Sequence, residues 1–531
     1  MRIVRAKWFA PLCLFALALF VRVVPIFQHS FDGLYGQDAY AYFEYARELF
    51  AALSQARVPP PFWWSLGYPF LLDAAFLFGG TNAASAQGIT MLGGALVAPL
   101  AYLMAREAAD AACKNIAGWV AGLICALSGQ LVQSSVVVMS DAPALMWATL
   151  AAWLLLRYAR TRGIWNLIFA ALAVGLAVWT RWQNLLFAGV WFSALVTIEW
   201  NSTAKEWNSN CNKKSKPPTG GRAANGLGHF ILGLAVIGLV LLPQMLLTVT
   251  TNAPLAGSSW LEGWSPANFF ARTFDNVDGH FEYALPVALF YAQAVAHPAY
   301  LFVMLTPLFG VGVAVLLKRM RRWKHHRTLR AETILLLGWI AAMLVFLMGI
   351  PYENFRFSLG FLTPLAVVTG IGAGWLWTRW QTTSRRVALS AWIAIALLVM
   401  LTWQPRVLAP VLEIHARELA HARWLEAELG PNALLYTMEL DGAVRYYTQV
   451  RVINLWNMER DELNRIAPTY LYVDTNKIRA QWRGRLPEQL LGALSETNAL
   501  HRVGDFDGWT LYRVGDCGNC DNCTARLLDC E

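Results

Sequence analysis

Long apolar runs separated by short polar segments fill about the first 400 residues of the chain. A helix that crosses the hydrocarbon core of a bilayer needs about 20 predominantly apolar residues. Eleven runs approach that length, and we predict that each forms a membrane-spanning helix. They are Trp8–Phe27, Ala84–Met104, Ile116–Val136, Pro143–Leu156, Ile164–Thr180, Leu185–Glu199, Phe230–Thr250, Ala299–Leu317, Thr333–Ile350, Phe357–Trp377 and Val387–Trp403.

One shorter apolar run, Tyr68–Gly80, has 13 residues and contains Asp73. At about 1.5 Å per residue its helix is about 20 Å long, whereas the hydrocarbon core is about 30 Å thick. We therefore predict that this run lies along the membrane surface. The segment 29–83 then forms a long first loop with juxtamembrane helices.

The pattern changes near Pro405, where short apolar strands begin to alternate with amphipathic helical segments. The strands are ALLYTM, VRVINL, PTYLYVD and WTLYRV, and the helical segments are HARELAHARWLEAEL and RGRLPEQLLGALSE. This alternation is typical of an α/β domain. The predicted fold is a polytopic α-helical membrane protein with about 11 spans in residues 1–404. A small α/β domain follows in residues 405–515, and a cysteine-rich tail in residues 516–531.

The composition agrees with this prediction, because 57% of the 531 residues are apolar and only 15% are charged. Soluble domains have about 45–50% apolar and about 25% charged residues, so a soluble or disordered chain is excluded. The net charge is +13 in the first 405 residues and −4 from Arg406 onward. The basic excess lies between the apolar runs, which indicates a membrane topology signal. We expect membrane lipid, and not nucleic acid, as a partner.

The charge of the connections predicts the orientation. Arg157–Arg162, Asn201–Gly228, Lys318–Arg330 and Thr378–Arg386 carry net charges of +3, +4, +7 and +3. Basic loops remain in the cytoplasm, so we predict that these loops and the N-terminus are cytoplasmic. If Tyr68–Gly80 does not cross, the first long loop and the C-terminal domain are outside. We expect a multi-pass protein of the cell membrane, specifically a bacterial inner membrane.

The first outer loop places a carboxylate beside aromatic residues. Asp38, Tyr42 and Tyr45 lie on one face of a predicted helix because they are separated by four and three residues. Asp38 either caps this helix by accepting a backbone N–H or serves as a general base or metal ligand at the membrane surface. In the second case a sugar ring could stack on Tyr40 or Tyr42.

Three segments resemble GT-C glycosyltransferases of the protein-mannosyltransferase-like and aminoarabinose-transferase-like branch. GQDAYAYFEYAREL with PPPFWWSLGYPFLL resembles the family's first outer loop, and ENFRFSLGFLTP its late outer loop. LICALSGQLVQSSVVVMSDAPALMWATLAAWLLLR resembles its pair of helices joined by a short outer turn. The resemblance covers about residues 8–403. The chain departs from the family at Phe357, where tyrosine is usual, and at the single Asp38, where many members have two acidic residues.

This resemblance implies that the chain transfers a sugar from a polyprenyl-phosphate donor to an extracytoplasmic lipid, glycan or protein. It implies that Asp38 is the catalytic carboxylate and general base, and we expect Gln37, Tyr40 and Tyr42 to bind substrate. A divalent cation at Asp38 stays an open alternative, and no other cofactor is expected in the membrane domain.

A departing phosphate needs positive charge, and the planar donor fork of arginine suits it. Arg22, Arg181 and Arg356 lie at the outer ends of predicted spans. Each either extends toward the lipid headgroups or binds the donor phosphate. Arg356 and Arg181 are the preferred phosphate ligands, and Arg22 could instead pair with Asp32 or Asp38.

Two further acidic residues are candidates for substrate contacts. Asp141 either forms a helix cap together with Ser140 or contacts the substrate. Glu353 either pairs with Arg356 or contacts the substrate.

Four cysteines crowd the tail, at Cys517, Cys520, Cys523 and Cys530. Their spacing suits tetrahedral zinc, whereas an extracytoplasmic location favours disulfides. An inert extension is the third alternative.

A transporter or flippase of lipid-linked sugars is the alternative to an enzyme. Transporters are typically built from repeats with ionisable residues near the middle of the bilayer. This sequence shows no repeat, and most of its charges lie at span ends. The long first loop with its carboxylate favours the glycosyltransferase.

Overall fold

The computed structural model describes residues 2–211, 221–251, 263–276, 278–321, 327–430, 433–455, 469–496 and 499–515. These residues form two compact units. We call Met1–Gly33, Tyr42–Phe270 and Leu285–Ala409 the membrane unit, and Leu34–Ala41, Ala271–Ala284 and Pro410–Glu531 the C-terminal unit.

The membrane unit is helical, as its apolar runs predict. Its helices are α1 (Arg2–His29), α2 (Gly36–Ser54, which begins in the C-terminal unit), α3 (Gly67–Gly79), α4 (Ala83–Ala108), α5 (Lys114–Leu127), α6 (Gly129–Val136), α7 (Asp141–Thr161), α8 (Ile164–Thr180), α9 (Asn184–Cys211), α10 (Gly221–Thr251), α11 (Val287–Ala292), α12 (Thr306–Arg321), α13 (Arg327–Gly349), α14 (Leu362–Arg379) and α15 (Thr383–Glu428, which ends in the C-terminal unit).

Within the described ranges, eight helices are long and apolar enough to cross a membrane, or nine if α5 and α6 form one bent span. The apolar helices α8 and α9 account for the two other predicted spans. Each of the eleven predicted runs thus coincides with helix, but two of them start late. Ala299–Leu317 becomes α-helical only at Thr306, and Phe357–Trp377 only at Leu362, each after a 3₁₀ turn. The predicted short helix is present as α3, which has 13 residues.

The predicted run Ile116–Val136 is broken, because α5 and α6 meet at Ser128 with a bend of 52°. A break within a membrane protein leaves backbone carbonyls that need donors. Gln404 Nε2 donates to the Leu127 carbonyl at 2.9 Å, and the buried Arg22 Nη1 donates to the Ala126 carbonyl at 3.4 Å. Ser128 Oγ donates to the Ala299 carbonyl at 2.7 Å. Side chains from α1 and α15 therefore stabilise the break.

Glycines on α14 permit close helix packing. A Cβ atom at Gly372 would lie 2.0 Å from the Leu308 carbonyl oxygen of α12, and one at Gly370 would lie 2.3 Å from the Ala117 carbonyl oxygen of α5. Backbones approach this closely only where the side chain is a hydrogen. These contacts hold α14, and the turn that precedes it, against two neighbours.

The first two strands of the C-terminal unit, β1 (Thr273–Asn276) and β2 (Gly279–Glu282), form a hairpin. The other strands are β3 (Leu434–Thr437), β4 (Arg451–Asn454), β5 (Thr469–Val473), β6 (Leu500–Phe506) and β7 (Trp509–Val514). These five form one sheet in the order β4-β3-β5-β7-β6. Strands β4 and β5 pair in parallel with β3, and β7 pairs antiparallel with β5 and β6. The predicted α/β pattern is therefore confirmed.

Helices cover both faces of this sheet. They are α16 (Asp441–Tyr447), α17 (Thr475–Gln481) and α18 (Leu486–Glu496). One core joins Ile478 of α17 and Leu490 of α18 to strand residues such as Leu471. The other joins Leu425 of α15 and Val444 of α16 to the opposite sheet face. Alternating side chains along each strand supply both cores.

Two segments that are remote in sequence belong to the C-terminal unit. One is Leu34–Ala41, and the other is Ala271–Ala284, which holds the hairpin β1 (Thr273–Asn276) and β2 (Gly279–Glu282). Gln481 Nε2 of α17 donates to the Asp278 carbonyl in the hairpin turn at 2.7 Å. At Gly279, φ is +116° and a Cβ would lie 2.5 Å from the Gln481 carbonyl oxygen, so glycine is required there.

Candidate active site

Three elements of the membrane unit bring two arginines to one carboxylate. Asp141 is the first residue of α7, Arg181 directly follows α8, and Arg356 lies in the 3₁₀ turn Phe355–Phe361. Arg181 Nη1 is 2.8 Å from Asp141 Oδ1, and Arg356 Nε is 3.6 Å from Asp141 Oδ2. We call Arg181, Asp141 and Arg356 the arginine cluster.

The arginine cluster is largely withdrawn from solvent. The exposed fraction of the side chain is 4% for Asp141, 17% for Arg181 and 16% for Arg356. The cluster brings two guanidinium groups to one carboxylate, so cationic donors predominate among these three side chains. Because charges interact more strongly in partly buried sites and guanidinium groups bind oxyanions through two N–H groups, the cluster is suited to an anion such as a phosphate.

An aromatic ring supports both guanidinium groups. The Cζ atoms of Arg181 and Arg356 lie 5.3 Å and 5.6 Å from the centroid of the Phe357 ring, within the range of cation–π contacts. Phe357, Asp141 and Arg181 also line a small cavity of about 20 Å³, which has room for a water molecule. Arg356 Nη1 donates to Met139 Sδ at 2.6 Å.

The cap expected from Ser140 and Asp141 is not formed. Ser140 has a helical backbone and makes no capping hydrogen bond. Its Oγ instead accepts a hydrogen bond from Arg181 Nη1 at 3.4 Å. The capping alternative is therefore wrong for Ser140, and the carboxylate of Asp141 serves the arginines.

Tyr42 lies beside this cluster, in the part of α2 that belongs to the membrane unit. Its hydroxyl is 3.1 Å from Ser140 Oγ. Its ring is buried among Phe62, Trp64 and Tyr68, whose centroids are 5.8, 4.8 and 5.0 Å away. The aromatic contacts fix the ring, so the hydroxyl is the part of Tyr42 that faces polar groups.

Asp38 lies in the first turn of α2, in the C-terminal unit, and its side chain is partly exposed. Its neighbour Gln37 is exposed. Burial raises the pKa of the Asp278 carboxyl, and the charge of Asp38 raises it further, whereas Arg485 opposes the shift. Asp38 and Asp278 are therefore electrostatic neighbours in this unit.

Tyr40 is buried in the C-terminal unit rather than exposed as a platform. Its hydroxyl donates to Glu418 Oε2 at 3.2 Å, and the ring lies 6.3 Å from both Tyr446 and Tyr447 of α16. The other carboxylate oxygen of Glu418 accepts the Gly36 backbone N–H at 2.8 Å. Glu418, which lies in α15, thus fixes the start of α2. The amphipathic pattern of this part of α15 did not indicate such a role.

Glu353 does not form the expected pair with Arg356. Its Oε1 is buried and accepts no hydrogen bond from the described part of the chain. Burial raises the pKa of the Glu353 carboxyl to about 7. The carboxyl can therefore exist in both protonation states near neutral pH, which suits it to donate or accept a hydrogen bond.

Arg22 is separate from the arginine cluster. It is fully buried, and Nη1 donates to the Ala18 and Ala126 carbonyls at 2.6 and 3.4 Å. Its hydrogen bonds therefore serve the break between α5 and α6, and neither headgroup contact nor pairing with Asp32 or Asp38 accounts for its position.

The described ranges contain no group of three or more His, Cys, Asp or Glu side chains placed to hold a metal ion. Cys517, Cys520, Cys523 and Cys530, the candidate zinc ligands of the tail, lie outside the described residues. The cation at Asp38 and the zinc at the tail both stay predictions.

The sequence matches a known family over its N-terminal part. Residues 12–253 match the model of the dolichyl-phosphate-mannose-protein mannosyltransferase family. No curated protein sequence matches the chain significantly.

Solved structures are similar over nearly the whole chain. ArnT from Cupriavidus metallidurans, bound to undecaprenyl phosphate, matches with a TM-score of 0.62 at 13% identity, over 94% of this chain and 97% of its own. The apo state of that ArnT gives a TM-score of 0.60 at 13% identity, over 98% and 100%.

A third structure is AglB, the archaeal oligosaccharyltransferase from Archaeoglobus fulgidus, in complex with an inhibitory peptide and a dolichol-phosphate. It matches with a TM-score of 0.54 at 14% identity, over 97% of this chain and 75% of its own. The match of residues 12–253 and the fold shared with ArnT and AglB confirm the resemblance carried by the loop motifs: this chain has the GT-C glycosyltransferase fold.

Proposed function

We propose that the protein is a membrane glycosyltransferase that moves a sugar from a polyprenyl-phosphate donor to an extracytoplasmic acceptor. The observation that carries this proposal is the arginine cluster, in which Arg181 and Arg356 meet at the Asp141 carboxylate in a place largely withdrawn from solvent. A sugar phosphate presents the oxyanion that such a cluster would bind.

The fold supports a lipid-linked phosphate as the donor. ArnT was solved with undecaprenyl phosphate and AglB with a dolichol-phosphate. In our proposal the polyprenyl tail lies in lipid while the phosphate contacts Arg181 and Arg356. Both guanidinium groups would stabilise the charge that develops on the phosphate as the glycosidic bond breaks.

Asp38 is the proposed general base. It would accept the proton of the acceptor hydroxyl as the acceptor oxygen forms a bond to the anomeric carbon. The bond from that carbon to the phosphate oxygen breaks in the same step, and polyprenyl phosphate leaves with the electron pair. Gln37, Tyr40, Tyr42, Asp141 and Glu353 stay proposed substrate-binding residues.

The test is transfer by purified wild-type protein and by Asp38→Asn, with a radiolabelled polyprenyl-phosphate sugar in nanodiscs. Loss of a general base typically lowers the rate by about 10²–10⁴-fold. We expect Asp38→Asn to remain folded, to bind the labelled lipid and to fail in transfer. Asp32→Asn, which changes another aspartate of the same loop, should transfer at the wild-type rate.

Two results would contradict this proposal. Transfer by Asp38→Asn at the wild-type rate would remove Asp38 from the role of base. If the wild type carried the labelled lipid across a bilayer and no label ever left the lipid, the alternative of a flippase would replace the enzyme.

A further inference from the structure

The short turn Arg181–Gln183 joins α8 to α9, and hydrogen bonds hold its backbone in place. The Asn184 N–H donates to the Arg181 carbonyl at 3.0 Å. Ser65 Oγ accepts a hydrogen bond from the Trp182 N–H at 3.2 Å. Because these contacts fix the backbone, the side chains of the turn start from defined positions in the membrane unit.

Within this turn, Gln183 holds the side chain of Arg181. Arg181 Nε donates to Gln183 Oε1 at 2.9 Å. An arginine Nε–H can only donate, so the atom that faces it is the carbonyl oxygen of the Gln183 amide. Glutamine supplies this acceptor without a negative charge. The guanidinium group therefore keeps its attraction for an anion, which a carboxylate at the same position would oppose.

The five N–H donors of Arg181 are divided among its neighbours. Gln183 takes the Nε donor, while Nη1 lies 2.8 Å from Asp141 Oδ1 and donates to Ser140 Oγ at 3.4 Å. Among the residues that the structure describes, none accepts a hydrogen bond from Nη2, and Nη2 is not sealed from solvent. The two Nη2 donors are thus the ones that remain open to an incoming anion.

The guanidinium group of Arg181 is also covered on one face. The Phe357 ring centroid lies 5.3 Å from its Cζ atom. Gln183, Asp141 and Phe357 line the same small cavity of about 20 Å³. A planar group that is held at Nε and at Nη1 and covered by a ring cannot turn without losing these contacts. The direction of the Nη2 donors is therefore fixed before any ligand binds.

We propose that Gln183 is a positioning residue, whose carbonyl oxygen holds the Nε edge of Arg181 so that the Nη2 donors face the phosphate of the polyprenyl-phosphate donor. This inference rests on the proposed function, because the anion that it invokes is the donor phosphate. Without Gln183, the Nε–H loses its acceptor. Arg181 can then turn and give two parallel donors to the Asp141 carboxylate, the arrangement that carboxylates favour, and fewer donors remain for the phosphate.

The experiment measures the binding of two lipids that differ only in the phosphate, undecaprenyl phosphate and undecaprenol, to the protein in nanodiscs. Gln183→Met removes the acceptor while nearly preserving the size of the side chain. Asn166→Leu is the matched control, because it removes an amide near the opposite end of α8, where Asn166 Nδ2 donates to Thr161 Oγ1 at 3.0 Å.

We expect Gln183→Met to bind undecaprenyl phosphate about tenfold more weakly than wild type, because hydrogen bonds that involve charged groups are the stronger ones. Its affinity for undecaprenol should stay within about twofold of wild type, since this lipid offers no anion to Arg181. Asn166→Leu should bind both lipids as wild type does.

A double-mutant cycle separates the positioning of Arg181 from the packing of the turn. In Arg181→Met, Arg356 and the polyprenyl tail still support binding of undecaprenyl phosphate. Adding Gln183→Met to this variant should lower the affinity by less than about twofold, because no guanidinium group is left for Gln183 to hold.

The outcomes distinguish this inference from the proposed function. Wild-type affinity of Gln183→Met for undecaprenyl phosphate would overturn the inference and leave the proposed function intact. Equal losses for both lipids, or the same loss with and without Arg181, would assign the effect to packing and would also contradict the inference. If the wild-type protein bound both lipids equally, the arginine cluster would not bind the donor phosphate, and the proposed function would fail together with the inference.

Discussion

Asp141 contacts Arg181 through one carboxylate oxygen and Arg356 through the other. The carboxylate holds the two guanidinium groups near each other. A fixed cation pair of this kind costs little reorganisation when an anion arrives, because the donors already point at one place. The Phe357 ring, near both guanidinium groups, keeps their planes in position.

Arg356→Lys tests whether the donor fork matters more than the charge. Lysine keeps the positive charge but loses the planar pair of N–H donors. We expect affinity for undecaprenyl phosphate to fall by about tenfold, since hydrogen bonds to charged groups are the stronger ones. Titration of the nanodisc-embedded protein with the lipid measures the change.

The matched control is Arg379→Lys, at the far end of α14, where the guanidinium lies over the Trp375 ring. It should bind the lipid as wild type does. If Arg356→Lys bound undecaprenyl phosphate within about twofold of the wild-type affinity, Arg356 would contact lipid headgroups and would not bind the donor phosphate.

Glu353 gives a prediction for the pH dependence of stability. Burial raises the pKa of its carboxyl to about 7 in the folded protein, from an ordinary 4.5. Between these values the unfolded chain has lost the proton and the folded chain still holds it, so stability falls as pH rises. This loss of stability is absent below the pKa of the unfolded chain and complete above the pKa of the folded protein. It should disappear in Glu353→Gln, which cannot titrate.

The measurement is the unfolding temperature in detergent from pH 4 to pH 9. Relative to Glu353→Gln, wild type should lose stability through this window and then reach a plateau. Glu282→Gln, which changes an exposed carboxylate, should leave the wild-type curve unchanged. Parallel curves for wild type and Glu353→Gln would show that burial of Glu353 does not perturb its titration.

At the residue scale, the sequence predicted that Arg181 and Arg356 lie at the ends of spans. It did not predict that both arginines contact the same carboxylate. Each arginine follows or precedes an apolar run, and this local signal identified both. Their common contact with Asp141 depends on how α7, α8 and α14 pack. Hydrophobic periodicity shows which helix face is apolar, and it does not determine which helices are neighbours.

At the scale of elements, the break between α5 and α6 shows that an apolar run of spanning length need not form one straight helix. The run is long enough for one span, and no proline marks the bend. The broken carbonyls are tolerated because Arg22 and Gln404 donate to them from other helices. The Ser128-Gly129 pair lies at the bend, and such pairs are common at sharp kinks. The sequence does not show, however, which donors from other helices satisfy the broken carbonyls.

Gln404→Leu tests the role of the donor at the break. The Leu127 carbonyl would lose its partner in a buried position, which we expect to cost about 1–2 kcal/mol of stability. Thr402→Val is the control on the same helix, because the Thr402 hydroxyl bonds within α15 and is exposed. Thr402→Val should change the free energy of unfolding by less than about 0.5 kcal/mol.

Unfolding of both variants in mixed micelles gives the comparison. Equal stability of Gln404→Leu and wild type would mean that the break needs no donor from α15.

At the scale of the whole molecule, the pattern of apolar and polar residues correctly predicted the helical membrane part and the α/β sheet. It did so because a long apolar run and a strand–helix alternation are regional signals. It did not predict that Leu34–Ala41 and Ala271–Ala284 join the C-terminal unit. These segments are held by contacts of single residues, such as Glu418 with Gly36 and Gln481 with Asp278.

Ion pairs gather the basic segments at one end of the membrane unit. Arg160, at the end of α7, lies 3.4 Å from Glu107 of α4 and 3.6 Å from Glu332 of α13. Arg319, at the end of α12, lies 2.8 Å from Asp110, just after α4. Asp141 is at the other end of α7, so the arginine cluster and the basic segments lie at opposite ends of the same helix.

This polarity leads to our last prediction, which concerns orientation. Basic connections remain in the cytoplasm because their translocation is disfavoured, so the Arg160 end should be cytoplasmic and the Asp141 end extracytoplasmic. Alkaline phosphatase fused after Arg513 should then be active, since it folds only outside the cytoplasm. The same enzyme fused after Arg321 should be inactive. The reverse pattern would place the arginine cluster on the cytoplasmic side and would exclude an extracytoplasmic acceptor, whatever the chemistry of Asp38.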